Sequence, residues 1–275
     1  MKKGVKLFLI LVFVLALGAG VYFYNNRLEQ DVNILLMGVD SSDPYTHHAD
    51  TMIVVHFAVK DKKVAFISIP RDTKVTYRSK ARKINSVYVL NYNEGKNAKA
   101  NAEMLKVVEA VLKEKVRYYA QVDYDGVKNI VDYFGGVRVN IESKMYYVDN
   151  ADGLLIYFKP GSQTLNGADA VKFLRFRKDN KADVGRMERQ QKFMFTLAST
   201  IMEKLEARNI LGVFSAVSKS LNTNFPPDRA AYLYKVFKDY DLHSSSKVIL
   251  PGDPVYESKI AYWKPDSKKI KEIFR

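Results

Sequence analysis

The run Val32-Asn33-Ile34-Leu35-Leu36-Met37-Gly38-Val39, closed by Asp40, decides the architecture. It is almost wholly apolar. A strand that is apolar at successive positions, rather than alternating, is covered on both faces, as inside a sheet with helices on either side. Function is then expected at its carboxyl end, where Asp40 stands. Working outward, Thr51–Val59 is rich in β-branched residues and reads as a second strand. Val64–Ile69 reads as a third, stopped by Pro70, with Lys60-Asp61-Lys62-Lys63 as the hairpin turn between them. Asp43-Pro44 marks a turn in the short connection from the first strand to the second. A short connection returns the second strand antiparallel, which brings Asp50 to the same sheet edge as Asp40. His47 and His48, in that connection, are expected to be exposed.

Farther along, Lys74–Arg82 is basic and reads as exposed, and Asn85–Leu90 starts a helix that Asn93-Glu94-Gly95 breaks. Ala98–Lys115 repeats apolar residues at Met104, Val107, Val108, Val111 and Leu112, which is helical spacing. Tyr118–Val122 is a strand, and Asp123 caps a helix over Gly126–Phe134 that Gly135-Gly136 ends. Val137–Ile141 and Leu154–Phe158 are further strands, and Asn166–Phe173 is a short helix capped by Asn166. A long amphipathic helix spans Arg186–Ala207, another spans Asp228–Tyr240 after Asn224-Phe225-Pro226-Pro227, and Lys247–Leu250 is a last strand. Alternating strands and helices argue an α/β fold: a single α/β/α domain, with a central mixed sheet flanked by helices, over 32–275.

The beginning of the chain has a different character. Residues 1–6 carry three lysines, Leu7–Tyr24 is an uncharged apolar run, and 25–31 form a polar linker. The run is about long enough to cross a bilayer as a helix. Lysines before it and Tyr22, Phe23 and Tyr24 at its end orient it with a cytoplasmic tail and an extracytoplasmic domain. A cleaved signal peptide is the competing reading, but the run is longer than a usual signal core. The expected localisation is therefore the cell membrane, crossed once. The absence of cysteine excludes disulfides and cysteine–zinc sites and fits an exporting bacterium that does not rely on them. The formal net charge is +14. Outside a membrane, that charge meets anionic headgroups, phosphate-rich wall polymers and pyrophosphate-linked lipids rather than nucleic acid.

Cationic chemistry is concentrated in Leu174-Arg175-Phe176-Arg177, continuing through Asp183-Val184-Gly185-Arg186-Met187-Glu188-Arg189-Gln190-Gln191. Arg175 and Arg177 lie two apart, as on one face of an extended segment, while Arg186, Arg189 and Gln190 fall at helical spacings. Guanidinium forks bind phosphate oxygens bidentately, so these arginines can serve an anion with more than one phosphate. A solvated basic surface is the other reading, and composition leaves both open. Arg71-Asp72 follows the third strand. Asp40 and Asp50 beside an arginine-bound phosphate make a magnesium site, since magnesium is usually held by one or two carboxylates plus substrate phosphate. Each aspartate alone could equally be a turn or cap residue, and Asp183 could cap the helix that starts near Arg186.

These motifs resemble the LytR-CpsA-Psr family of cell-wall glycopolymer ligases. The resemblance is carried by Asn33–Asp40, Ala49-Asp50-Thr51-Met52, Ser68-Ile69-Pro70-Arg71-Asp72-Thr73, Lys83-Ile84-Asn85, Gly135-Gly136-Val137, Leu165–Ala170 and the arginine segment, in family order. It implies a phosphotransferase that moves a glycopolymer, such as teichoic acid or capsule, from a polyprenyl-pyrophosphate carrier to a peptidoglycan sugar hydroxyl. It also implies a cell membrane of the Gram-positive type. By the same resemblance Asp40 and Asp50 hold magnesium, with manganese as an alternative ion. Arg71, Arg175, Arg177 and Arg186 bind pyrophosphate with Gln190 beside them. Lys83 and Arg189 support that site, and Asp72 or Asp183 takes the proton. The partners implied are the lipid-linked polymer, peptidoglycan and, through the N-terminal helix, the membrane. A pyrophosphatase acting on the same lipids and a non-catalytic receptor for wall polyanions are the alternatives. A serine-hydrolase elbow and a P-loop are absent from the sequence. The cytoplasmic side holds too few residues for a DNA-binding motif.

Overall fold

A computed structural model of the chain describes residues 30–39, 48–92, 97–149, 153–176, 182–205, 213, 217–257 and 259–274. Within 182–205 it describes the backbone throughout and the side chains other than those of 182–184, 186, 187 and 205. The expected anchor at 7–24 lies outside these residues. Among the described residues no helix is long and apolar enough to cross a membrane.

The chain runs β1 (Val32–Val39), β2 (Ala49–Ala58), β3 (Lys63–Ser68), β4 (Lys74–Tyr77), β5 (Lys80–Lys83), α1 (Ile84–Tyr92), α2 (Asn97–Leu112) and β6 (Tyr118–Val122). It continues with α3 (Tyr124–Tyr133), β7 (Val137–Ile141), β8 (Met145–Asp149), β9 (Leu154–Phe158), β10 (Gly161–Leu165), α4 (Gly167–Arg175) and α5 (Ala182–Leu205). β11 (Asn222–Thr223), α6 (Pro227–Phe237), β12 (Ser246–Ile249), β13 (Gly252–Glu257), β14 (Ile260–Pro265) and α7 (Ser267–Ile273) complete it.

Among the described residues six strands form the central sheet, in the order β11-β6-β1-β2-β3-β12. β1 lies antiparallel to β2 and parallel to β6, and β3 is parallel to β12, so the sheet is mixed, as expected. Alternation along β1 divides its side chains between two cores. Leu35, Met37 and Val39 join Met104, Val108 and Ile270 of α2 and α7 on one face. Val32 and Ile34 join Phe195 of α5 and Leu233 and Phe237 of α6 on the other. A third core lies beyond α5, where α3, α4 and Phe193 and Leu197 of α5 pack against the ladders β7–β10 and β8–β9.

Four expectations are corrected here. Lys74–Arg82 is not simply an exposed basic stretch. It is a hairpin, β4–β5, with Val75 and Tyr77 buried and Arg78 and Ser79 at positive φ in its turn. Positive φ at both central positions is what a tight hairpin turn demands. The strands over Val137–Ile141 and Leu154–Phe158 exist but pair outside the central sheet, because helix α3 carries the chain away from it. Arg175 ends helix α4 rather than lying in an extended segment, and extended backbone begins at Phe176. The long helix starts at Ala182, so Asp183 lies in its first turn and not ahead of it as a cap.

Capping behaves as the sequence suggests. Asp123 accepts from Gly126 N at 2.8 Å and Asn166 accepts from Asp169 N at 2.9 Å, satisfying amides that the first turns leave unpaired. Gly135 and Gly136, at φ 72° and 99°, turn the chain out of α3 into β7. One further glycine, Gly167, welds α4 to α3. A Cβ at Gly167 would sit 2.3 Å from Lys128 O of α3, and its amide donates to Asp132 Oδ1 at 2.7 Å.

Candidate active site at the carboxyl edge of the sheet

Asp50 owes its position to an irregularity in the β1–β2 ladder. Gly38 pairs with Thr51, but Val39 pairs with Ala49, so Asp50 is the extra residue of a bulge. Without it, alternation would place Asp50 on the same face as Met52 and Val54, in the core shared with α1 and α2. The bulge lets Ala49 fill that core instead, fully buried beside Val39 and Met52. It re-aims Asp50 to the opposite face, where it joins Thr51 and Ile53 in lining a cavity. Gly38 makes room for this. A Cβ there would lie 3.1 Å from Thr51 Cβ.

The cavity, of about 70 Å³, lies between the sheet and helices α3, α4 and α5. Its walls are largely apolar: Leu36, Met37, Val39 and Ile53 from the sheet, with Val127, Leu174 and Met194 from the helices. Among the described residues its polar groups are those of Asp50, Thr51, Asp123, Tyr124 and Gln190. The last of these is 9% exposed and also lines a smaller recess with Asp50, Thr51 and Ser68.

Arg71 reaches Asp50 from the turn after β3, with Nη1 3.7 Å from Oδ1 and both side chains part-exposed. That turn is tightly held. Thr73 donates both its amide, at 2.9 Å, and its hydroxyl, at 2.6 Å, to Pro70 O, and Arg71 O accepts from Asn85 N at 3.3 Å. Beside it Lys83 Nζ lies 2.9 Å from Asp72 Oδ1, and Asp72 O accepts from Trp263 N at 2.9 Å. Asp72 and Lys83 are thus each other's ionic partners next to Arg71. Arg175, at the C-terminus of α4, places its guanidinium 5.7 Å from the centre of the Tyr124 ring. A cation suits this helix end, where carbonyl dipoles accumulate.

The structure therefore brings Asp50, Arg71 and Gln190 together and sets Arg175 beside them through Tyr124. It does not bring Arg189 to the same cavity. Arg189 donates to Phe176 O, lies 5.4 Å over the Phe176 ring, and lines a separate cavity on the other side of the α4–α5 corner. It fixes the segment after Arg175. Adjacent helical positions diverge by about 100° in direction, which is why Gln190 and Arg189 face different cavities. Asp40 and Arg177, and the side chains of Asp183 and Arg186, lie outside the described residues. His48 is half-buried rather than exposed, and its Nδ1 has no hydrogen-bond partner among the described residues.

Sequence reasoning passed over Asp123 as a cavity residue and did not single out Tyr124. Both follow β6, the strand parallel to β1, and so sit at the carboxyl end of that strand. The rule that drew attention to Asp40 applies to them equally. What hid them was the uncertain strand order. Phe193, Phe195 and Leu197 fill cores, whereas Met194 lines the cavity.

Comparison with known proteins agrees with this geometry. A polyisoprenyl-teichoic acid–peptidoglycan teichoic acid transferase, TagU of Bacillus mycoides strain KBAB4, is 28% identical over 305 residues, covering 98% of this chain and 95% of that protein. The transferase of the same description named TagV, from Bacillus subtilis strain 168, is 27% identical over 256 residues, 89% of this chain and 63% of that one. The crystal structure of B. subtilis TagV shares the fold with a TM-score of 0.72 at 24% identity, over 89% of this chain and 94% of that chain. A structure of TagT bound to LIIa-WTA shares it with a TM-score of 0.67 at 21% identity, over 90% and 89%. The LytR_cpsA_psr family matches residues 21–275, which include the bulged strand pair, the Arg71 turn and the α4–α5 corner, and the chain belongs to that family.

Proposed function

We propose that the chain transfers a glycopolymer from a polyprenyl-pyrophosphate carrier to a sugar hydroxyl of peptidoglycan. The acceptor oxygen attacks the phosphorus on the saccharide side of the pyrophosphate. A phosphodiester forms, the phosphoanhydride bond breaks, and polyprenyl monophosphate leaves. The hydroxyl proton passes to a carboxylate or to the departing phosphate. The observation that carries this reading is the joining of a cationic mouth to an apolar cavity. Asp50 and Tyr124 line that cavity, with Gln190 at its wall; Arg71 is paired with Asp50 and Arg175 is set over Tyr124. Such a site suits an anion attached to a hydrocarbon chain, and the family's named relatives are teichoic acid transferases.

Fixed guanidinium groups stabilise charge spreading over the phosphoryl oxygens without reorganising. Arg71 and Arg175 act in this way, and Gln190 adds an amide donor. Asp50 cannot bind phosphate. Its carboxylate offers hard oxygen ligands at the cavity, part-exposed and turned there by the bulge, which fits magnesium or manganese. Among the described residues no group of three or more ligating side chains is present, and magnesium bound with substrate phosphates does not require one. Asp50, with Asp40, would hold the ion. A bound divalent cation would neutralise charge on the pyrophosphate and its leaving oxygen. Asp72 or Asp183 is the candidate base, and Asp72 is paired with Lys83 Nζ at 2.9 Å. The apolar run at 7–24 would anchor the domain outside the membrane of a Gram-positive-type cell.

The test incubates the full-length chain in detergent with a polyprenyl-pyrophosphoryl saccharide, peptidoglycan oligomers and magnesium. A covalent saccharide–phosphate–peptidoglycan product is expected. Free saccharide phosphate in its place would make the protein a pyrophosphatase, and no turnover would leave it a receptor.

A further inference from the structure

Ser68 closes β3 and is its polar exception: Val64, Ala65, Phe66 and Ile67 before it are all buried and apolar. Ser68 itself is 3% exposed. It pairs with Ile53 of β2 and Ile249 of β12, and its carbonyl accepts from Leu250 N at 2.8 Å. Residues opposite one another in a ladder point to the same face, so isoleucine flanks the serine side chain on both sides. Among the described residues the Ser68 hydroxyl has no hydrogen-bond partner. A buried hydroxyl in that position costs stability, and alanine would fill the same space without the cost. Packing therefore gives no reason for a serine here, and the reason has to be sought in what its hydroxyl faces.

Ser68 lines a recess of about 10 Å³ with Asp50, Thr51 and Gln190, closed by Met52, Ile53 and Ile69. Asp50, Thr51, Ile53 and Gln190 also line the larger cavity, so the two spaces share a wall. The bulge that turns Asp50 off the core face is what brings its carboxylate to the face that Ser68 and Ile53 share. A buried water needs about 10–15 Å³ and two to four polar partners. The recess has room for one, between the serine hydroxyl and the polar side chains of Asp50, Thr51 and Gln190.

We propose that Ser68 is a positioning residue: through one water molecule it sets the Gln190 carboxamide against Asp50. The water accepts the Ser68 hydroxyl hydrogen and donates to Gln190 Oε1 and to the Asp50 carboxylate. Such a bridge makes about three hydrogen bonds, the usual number for a buried water. A carboxamide has an acceptor end and a donor end, so fixing the first fixes the second. With Oε1 engaged in the recess, Gln190 Nε2 is left to donate into the larger cavity. The proposal deepens the transfer reading above and rests on it for the identity of the anion that Nε2 meets. The water bridge itself does not depend on the reaction.

The test has two arms, both on the full-length chain in detergent. A crystal structure should show a water within hydrogen-bond distance of Ser68 Oγ, Gln190 and Asp50. No water at that point, or a Ser68 hydroxyl bonded to some other group, overturns the proposal. In the second arm the parent, Ser68→Ala, Gln190→Ala and the double variant are titrated with a soluble saccharyl pyrophosphate bearing a short prenyl tail, with folding checked by thermal melting. Ser68→Ala should melt near the parent, since only a hydroxyl is lost, and should bind about fivefold more weakly, the worth of one hydrogen bond. Because the serine acts through the glutamine, the double variant should bind within about twofold of Gln190→Ala alone. A serine with a purely structural role would add its loss to that of Gln190→Ala, and that additive result overturns the proposal. So does unaltered binding by Ser68→Ala. A parent that holds the water but binds no pyrophosphate sinks the transfer reading and leaves the hold of Ser68 on Gln190 standing.

Discussion

The two cavities on either side of the α4–α5 corner are made from different kinds of structure. The first is bounded by the central sheet, and its walls are Leu36–Val39 of β1 and Asp50, Thr51 and Ile53 of β2, with apolar residues of three helices. The second is bounded by a strand end, a turn and the polar flank of α5, so charged side chains form its rim. Yet the corner between them is a few residues long. Leu174 and Gln190 face the first cavity, while Phe173, Phe176 and Arg189 face the second. Helical geometry alone separates them, since successive side chains on a helix diverge by about 100°. A short segment thus lines an apolar cavity on one side and a polar-rimmed one on the other.

The largest effect expected from perturbing this arrangement is at the cationic mouth. Arg175→Ala or Arg71→Ala should lower transfer by about 10²–10³-fold or more, as losing one fixed donor to a developing oxyanion does. Melting temperature should stay near that of the parent, because neither side chain fills a core. Normal turnover in both variants would break the site assignment. Asp50→Ala should weaken the response to magnesium and cost about a hundredfold in activity, measured as rate against metal concentration. An unchanged metal dependence would remove Asp50 from that role.

Gly167→Ala sharpens the comparison from the side of stability. Its added Cβ meets the Lys128 carbonyl, an overpacking cost of about 1–3 kcal/mol. Denaturant unfolding should show this. Activity at low temperature should fall as well, because the shift displaces α4 and Arg175. Met194→Trp fills the apolar cavity and should raise KM for a long-chain donor about tenfold more than for a short-chain one, with acceptor KM unchanged. Equal effects on both donors would mean that the chain does not lie there.

The smallest effect concerns pH. Burial pushes the His56 imidazole below its ordinary pKa, and the Asp31 carboxylate partly offsets this. Asn33 Nδ2 donates to Lys115 O at 2.9 Å, which leaves Asn33 Oδ1 to accept from His56 Nδ1, 2.8 Å away. The native state holds His56 neutral, whereas the unfolded chain protonates it near its ordinary pKa of about 6.5. This contribution to stability is therefore complete above that value and is lost as pH falls through it toward the lower native pKa. Thermal melts between neutral pH and pH 5 should decline less steeply in His56→Gln than in the parent.

Much of this was legible in the chain itself. The run Val32–Val39 announced a strand covered on both faces, and the caps Asp123 and Asn166 and the pair Gly135-Gly136 fixed element boundaries, because capping is local chemistry. Family motifs pointed to Asp50, Arg71, Arg175 and Gln190; the fold pairs Arg71 with Asp50, lines one cavity with Asp50 and Gln190, and sets Arg175 over Tyr124. The hairpin Lys74–Lys83 was missed because its lysines and arginines conceal a short alternation, Val75 and Tyr77 inward, that is too brief to register. Spacing along a helix says which residues share a face, but not what that face meets, and only the fold shows Arg189 turned to the Phe176 carbonyl.

The amino-acid sequence by itself determined the five longer strands of the central sheet, the excess of positive charge and the residue types available for phosphate chemistry. These depend on periodicity and composition, which are properties of neighbours along the chain. Tertiary structure alone decided that Asp50 turns away from the core, that Arg175 meets Tyr124, and that two cavities of opposite character share one corner. Those outcomes depend on a one-residue slip in strand register and on which sheet face each helix covers. Both are settled by packing between segments far apart in the chain, where no local signal reaches.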